Sequence, residues 1–325
     1  MATRNALRRS LFYIPGSSQR FIDKSRTLTA DCVAYDLEDS VTPYKKAEAR
    51  RLVRRALDQS APSGIRERAV RINSVDSGLA LADLTEVLQS PNLSTIVIPK
   101  VNSASDLTFV TDVIKHSLPQ QSQTHQQDAA SRPPISLLAL VESAKSLANL
   151  TQICAATPLL QGLVFAAEDF ALDLSLTRTP SLTEFLFARS MIVTAARAAS
   201  LPSTIDLVCT TYKSPKDDGS PPAALEEECR GGKSLGFNGK QCIHPSQVST
   251  VQQIFSPEPE EVQWAVRVTI ADEKAAVAGR GAWTLDGKMI DVPVAEKARA
   301  IVKKAEACDF NVRELREKWQ HQEPE

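Results

Sequence analysis

The chain has 325 residues, 42% hydrophobic and 24% charged, so it can bury a large core and disorder is not its default. Its formal net charge of −1 lacks the basic excess that phosphate-backbone binding usually needs, so no nucleic-acid partner is expected. No apolar run approaches the ~20 residues that span a bilayer, and no membrane partner is expected either.

At the N-terminus, Arg4, Arg8 and Arg9 precede any acidic residue, a feature of mitochondrial leaders. A first strand beginning near Ser10 leaves too short a stretch for one, so a cytoplasmic location is expected, with a mitochondrial one as the alternative. Short, continuous, β-rich apolar runs then recur at 10–14, 32–37, 69–73, 95–99, 136–141, 162–167, 204–209 and 235–238. Continuous rather than alternating runs are what parallel strands covered on both faces look like. Helical patterns lie between them at 18–29, 43–59, 77–89, 103–116, 143–156, 181–199 and 221–233. Eight strands alternating with helices predict a (β/α)8 TIM barrel over residues 1–255. A doubly wound sheet is the rival, but no glycine-rich phosphate loop follows the first strand.

Residues 117–134 are polar, rich in Gln and Ser, and read as a surface loop. Residues 256–325 predict a small appended unit: a helix over 260–278, a hairpin-like strand pair around Trp-Thr-Leu-Asp-Gly-Lys, and a helix from about 293 to 308. This extension is expected to act as a lid or in oligomerisation. Six cysteines, at 32, 154, 209, 229, 242 and 308, form no CxxC pair and read as reduced, mostly buried thiols of an intracellular protein.

The active site of such a barrel is built from side chains just past the strands. Those positions hold Glu38 and Asp39 after strand two, Arg71 and Asn73 ending strand three, Lys100 after strand four, Glu142 after strand five, and Glu168 and Asp169 after strand six. Glu142 and Asp169 suit Mg²⁺, which takes one or two carboxylates and leaves positions for substrate oxygens. Each could equally cap the helix that follows. Arg71, within Ala-Val-Arg-Ile-Asn, needs an anionic partner: a substrate oxygen, or internally Glu38 or Asp39. Some of the acids Asp36, Glu38 and Asp39 are read as supporting partners of Arg71 and Lys100. Lys100 as a Schiff-base nucleophile is the metal-free alternative.

Seven segments in order carry a resemblance: RRSLFYIPGSSQRFIDKS (8–25), ADCVAYDLEDSVTPYKKAEAR (30–50), VRIN (70–73), IVIPKV (96–101), LLALVESAKSLANL (137–150), LVFAAEDF (163–170) and GFNGKQCIHPSQV (236–248). The chain resembles the HpcH/HpaI aldolase/citrate lyase superfamily, in its citrate-lyase-β-like branch with the malyl-CoA and citramalyl-CoA lyases. The resemblance implies an enzyme, a carbon–carbon lyase or condensing enzyme that acts on β-hydroxyacyl-CoA thioesters with Mg²⁺ on Glu142 and Asp169 and Arg71 on the acyl substrate. It implies that Tyr13, Arg20, Lys24, Ile243 and His244 lie along the CoA or substrate path. The expected partners are an acyl-CoA thioester, a small keto or hydroxy acid, and further copies of the chain in a trimer or hexamer. The segment Gly-Lys-Met-Ile-Asp-Val-Pro at 287–293 resembles that of malyl-CoA and citramalyl-CoA lyases, which implies Asp291 as the acid/base at the thioester α-carbon. The resemblance also implies that β-subunits of citrate lyase complexes lack this extension. Asp291 could instead be only the N-cap of the next helix. Two other readings stay open: an aldolase on free keto acids, and a β-type subunit working only inside a complex.

Overall fold

The computed structural model describes residues 7–118, 134–213 and 220–325. The parts of the 117–134 and 212–228 loops at 119–133 and 214–219 lie outside the described residues. Eight strands, β1 Ser10–Pro15, β2 Ala30–Asp36, β3 Ile65–Arg71, β4 Thr95–Ile98, β5 Ser136–Val141, β6 Leu160–Phe165, β7 Ser203–Asp206 and β8 Gly239–Cys242, close into a barrel in sequence order. Every neighbouring pair is parallel, and β8 returns to β1 with Ser10 opposite Lys240.

Successive side chains of a strand point to opposite faces, and here both faces are buried. In β2, Cys32 and Ala34 join Leu11, Ala69, Val97, Leu138 and Val164 inside the barrel, while Val33 and Tyr35 pack outward under the helices. This two-sided burial is why the strands read as unbroken apolar runs.

Strand eight departs from the expectation of 235–238. Those residues close the helix Ala223–Ser234, and Gly236 turns the chain at φ +97°. The strand itself is Gly-Lys-Gln-Cys, whose polarity hides it from a hydrophobicity reading. It tolerates burial because its polar groups are partnered: Lys240 ion-pairs with Glu228 at 2.9 Å, and the Gln241 amide donates to the carbonyls of Phe165 (2.8 Å) and Asp206 (3.2 Å). Gly239 is required, since a Cβ there would stand 2.0 Å from the Arg8 carbonyl oxygen. Arg8 and Arg9, leader-like by sequence, belong to the barrel floor. Arg8 is buried against Glu67 (2.6 Å) and Arg9 pairs with Asp31 (2.8 Å).

The chain divides into two compact units, one ending at Phe255 and the other beginning at Ser256. The second contains helix Pro259–Val277, the antiparallel strands β9 Trp283–Leu285 and β10 Lys288–Ile290, helix Val292–Ala307, and a helix Val312–Lys318 that the sequence reading did not anticipate. Asp286 and Gly287 both have positive φ (50° and 72°), the conformation that two-residue hairpin turns need. Trp283, Leu285 and Ile290 pack on Ala265, Val268 and Ala298, giving this unit a core of its own.

Candidate active site

The carboxyl ends of the strands converge polar groups from several elements around a cavity of about 490 Å³, lined among others by Tyr13, Asp36, Asp39, Arg71, Asp169, Gln241 and Ile243. Asp36 ends β2 and lies directly opposite Arg71 at the end of β3. Its carboxylate accepts two parallel hydrogen bonds from the Arg71 guanidinium, from Nε at 2.7 Å and Nη2 at 2.8 Å. It also accepts from the backbone N–H groups of Glu38 (2.9 Å) and Ser40 (3.1 Å). These donors outweigh its burial and hold Asp36 below the usual carboxylate range. Arg71 Nη1 faces Glu38 and Asp39, each at 3.2 Å, and the guanidinium lies over the Tyr13 ring, 4.8 Å from its centroid. The main internal partner of Arg71 is therefore Asp36 rather than Glu38 or Asp39.

Lys100 Nζ donates to Glu38 Oε1 at 2.6 Å and stands 3.8 Å from Asp39. Burial alone would lower its pKa, but Glu38 and Asp39 raise it on balance, so it is held as a cation and not as a free amine nucleophile. Its backbone sits in the left-handed region at φ 51°.

Glu142 follows β5 and is 4% exposed. It is not a helix cap: Ser143 caps the following helix by accepting from the Ser146 N–H, and Asp173 accepts from the Ala144 N–H. Burial, reinforced by the negative charges of Glu38 and Asp169, pushes its pKa up to about 8. Its Oε2 is buried without a hydrogen-bond partner. Asp169 lies in the first turn of helix Ala167–Leu174, whose N-cap, Ala166, supplies no side-chain cap. A buried carboxylate oxygen without a donor, beside further carboxylates, suits a small hard cation. Among the described residues, no three or more His, Cys, Asp or Glu side chains cluster as a ready-made metal cage. Two carboxylates with open positions fit Mg²⁺, which keeps water or substrate oxygens as its other ligands.

A second cavity of about 400 Å³ shares Tyr13, Pro15 and Ile243 with the first, and is walled by Phe12, Phe21, Lys24, Leu28 and His244. It thus brings together Tyr13, Lys24, Ile243 and His244. Arg20, on the same helix Gln19–Ser25, is exposed and lines neither cavity. The Tyr13 hydroxyl donates to Gln241 Oε1 at 2.9 Å, and burial pushes its pKa up, so it stays a neutral donor. The backbone N–H groups of Ile243 and His244 both donate to Gln247 Oε1, at 2.9 and 3.2 Å. The Ile-His-Pro turn is therefore structural, and those two amides are engaged within the chain rather than turned to a ligand. Gln241 escaped the sequence reading because β8 was misplaced.

Asp291 belongs to the second unit. Its Oδ1 accepts from the Val294 N–H at 3.2 Å, so it does cap helix Val292–Ala307. Its other carboxylate oxygen is not needed for that role.

With this geometry in hand, comparison with known proteins is specific. The HpcH/HpaI aldolase/citrate lyase family matches residues 9–245. The chain is 36% identical over 304 residues to human "Citramalyl-CoA lyase, mitochondrial", covering 91% of this chain and 84% of that protein. It is 36% identical over 301 residues to Escherichia coli "Citrate lyase subunit beta", covering 92% and 93%. A match of that extent leaves about 26 residues of this chain uncovered and so runs across positions 287–293. A C-terminal extension as such therefore does not separate this chain from citrate lyase β-subunits, contrary to expectation. Among solved structures, protein CitE from Mycobacterium tuberculosis in complex with magnesium, acetoacetate and coenzyme A superposes with a TM-score of 0.69 at 27% identity, covering 93% of this chain and 99% of that one. Among the described residues, no helix is long and apolar enough to cross a membrane. The chain belongs to the HpcH/HpaI aldolase/citrate lyase family.

Proposed function

We propose that this protein is a Mg²⁺-dependent carbon–carbon lyase that cleaves, or in reverse forms, β-hydroxyacyl-CoA thioesters of the citramalyl-CoA, malyl-CoA or citryl type. The observation that carries this reading is the buried, unpartnered carboxylate oxygen of Glu142 beside Asp169, at the barrel end that also holds Arg71. Glu142 and Asp169 would hold the ion, which when bound supplies a Lewis acid and a template for the oxygens of a keto or hydroxy acid.

The chain's own groups do the rest. In the cleavage direction the β-hydroxyl gives its proton to water, the bond between the β- and α-carbons breaks to leave a keto acid, and the electron pair passes to the thioester as an enolate. Asp36 takes Arg71 Nε and one Nη2 hydrogen, and Glu38 and Asp39 hold Nη1, which fixes the fork and leaves the second Nη2 hydrogen to stabilise that enolate oxygen. Glu38 and Lys100 neutralise one another beneath it. Asp291 is the proposed acid that returns a proton to the α-carbon, and the base that removes it in condensation. The second cavity, with Lys24 at its wall, is proposed for the CoA arm. The same reading takes the protein to work as a trimer or hexamer, in the cytoplasm or in mitochondria.

The test is a panel of citramalyl-CoA, malyl-CoA and citryl thioesters assayed with Mg²⁺ and with EDTA, for the wild type and Asp169→Asn. Cleavage of at least one thioester, lost in EDTA and in the variant, is expected. Full turnover in EDTA would overturn the metal assignment.

A further inference from the structure

Arg178 lies between helix Ala167–Leu174 and the short 3-10 turn Thr183–Phe185, with no feature in the sequence to single it out. Its guanidinium nevertheless ties three connections together. Nη1 pairs with Glu168, while Nη2 donates to the Val208 carbonyl oxygen at 3.1 Å and to Glu228 Oε1 at 2.8 Å. Glu228 in turn pairs with the fully buried Lys240 of β8 through its other oxygen. Two cations and two carboxylates thus balance. Of the four, only Glu168 reaches the main cavity, and Val208 lines the same wall.

Glu168 and Asp169 are consecutive in the first turn of a helix that Ala166 leaves uncapped. An uncapped first turn frays, because its N–H groups have no partner to hold it. Fixing the Glu168 carboxylate fixes the rotation of that turn, and with it the direction of the Asp169 side chain one residue on.

We propose that Arg178 is a positioning residue that holds Asp169 for cation binding by clamping Glu168 to the β7 connection and to helix Ala223–Ser234. The inference rests on the reading of Asp169 as a metal ligand. A merely structural ion network would lower stability and leave cation affinity alone; a positioning residue moves the affinity.

The experiment titrates Mn²⁺ into the full chain, read by electron paramagnetic resonance, alongside thermal melts. Arg178→Gln is expected to weaken Mn²⁺ by about 10–100-fold, the usual range for groups that orient metal ligands. Glu168→Gln should weaken it in the same direction, and the double variant should be no weaker than Arg178→Gln alone, because the two act as one unit. A lower melting temperature with unchanged Mn²⁺ affinity in Arg178→Gln, or losses that simply add in the double variant, would overturn the proposal. Should Arg178→Gln fail to fold, Glu168→Gln decides, since that side chain is half-exposed and its loss spares the core; unchanged affinity there is equally fatal. Wild-type Mn²⁺ binding by Asp169→Asn would show instead that the metal-site reading itself is wrong, and this inference would fall with it.

Discussion

Glu142 is the residue least suited to the charge its position demands. Without a cation, its folded-state pKa is about 8 against an ordinary 4.5, so between those values the fold keeps a proton that the unfolded chain has released. Stability then falls as pH rises through that window, at about 1.36 kcal/mol per unit at most. In metal-free protein the melting temperature of the wild type should therefore drop from mildly acidic to mildly alkaline pH more steeply than that of Glu142→Gln, which cannot ionise. Excess Mg²⁺ should flatten the wild-type curve and leave the variant's unchanged. Parallel curves for the two proteins in EDTA would show that Glu142 is not the titrating group. Asp291 poses the opposite question, since it visibly caps a helix. Asn caps about as well as Asp, so Asp291→Asn should melt like the wild type. Loss of acid–base chemistry should cost about 10²–10⁴-fold in turnover, together with solvent exchange at the α-carbon of acetyl-CoA. Normal exchange in a normally folded variant would leave Asp291 with the cap alone.

At the scale of elements, helix Gln19–Ser25 shows how an expectation from resemblance is sharpened by tertiary structure. Arg20 and Lys24 were both expected along the CoA or substrate path, yet only Lys24 borders the second cavity. Lys24→Gln should raise KM for a CoA thioester several-fold while scarcely affecting inhibition by a free keto acid. Arg20→Gln should do much less, and equal effects of the two substitutions would remove the second cavity from the CoA path. The strand β8 makes the same point about burial. Gly-Lys-Gln-Cys can be a barrel strand only because Glu228, Phe165 and Asp206 supply partners to its polar side chains, and none of these is near it in sequence.

Over the whole molecule, two units with separate cores divide the proposed labour. The barrel holds Glu142, Asp169 and Arg71, and the second unit carries Asp291. A chain ending at Phe255 is expected to keep barrel-like circular dichroism and Mn²⁺ binding while losing α-carbon proton exchange. Retained exchange would place the acid/base inside the barrel, among Glu38, Asp39 and Lys100. The sequence by itself determined the barrel, because parallel strands buried on both faces must be continuously apolar, and seven of the eight strands lie on such regularly spaced runs. It also determined which strand ends carry Glu38, Arg71, Lys100, Glu142 and Asp169, since an apolar run that stops marks the site end of the barrel. Only the tertiary structure decided that Asp36 anchors Arg71, that Glu142 caps nothing and lacks a partner, and that Arg178 reaches Glu168, Val208 and Glu228. Those outcomes depend on register and on contacts between distant segments, which local composition does not encode. A polar strand such as β8 was illegible for the same reason: its burial is made tolerable by partners that only the closed barrel brings to it.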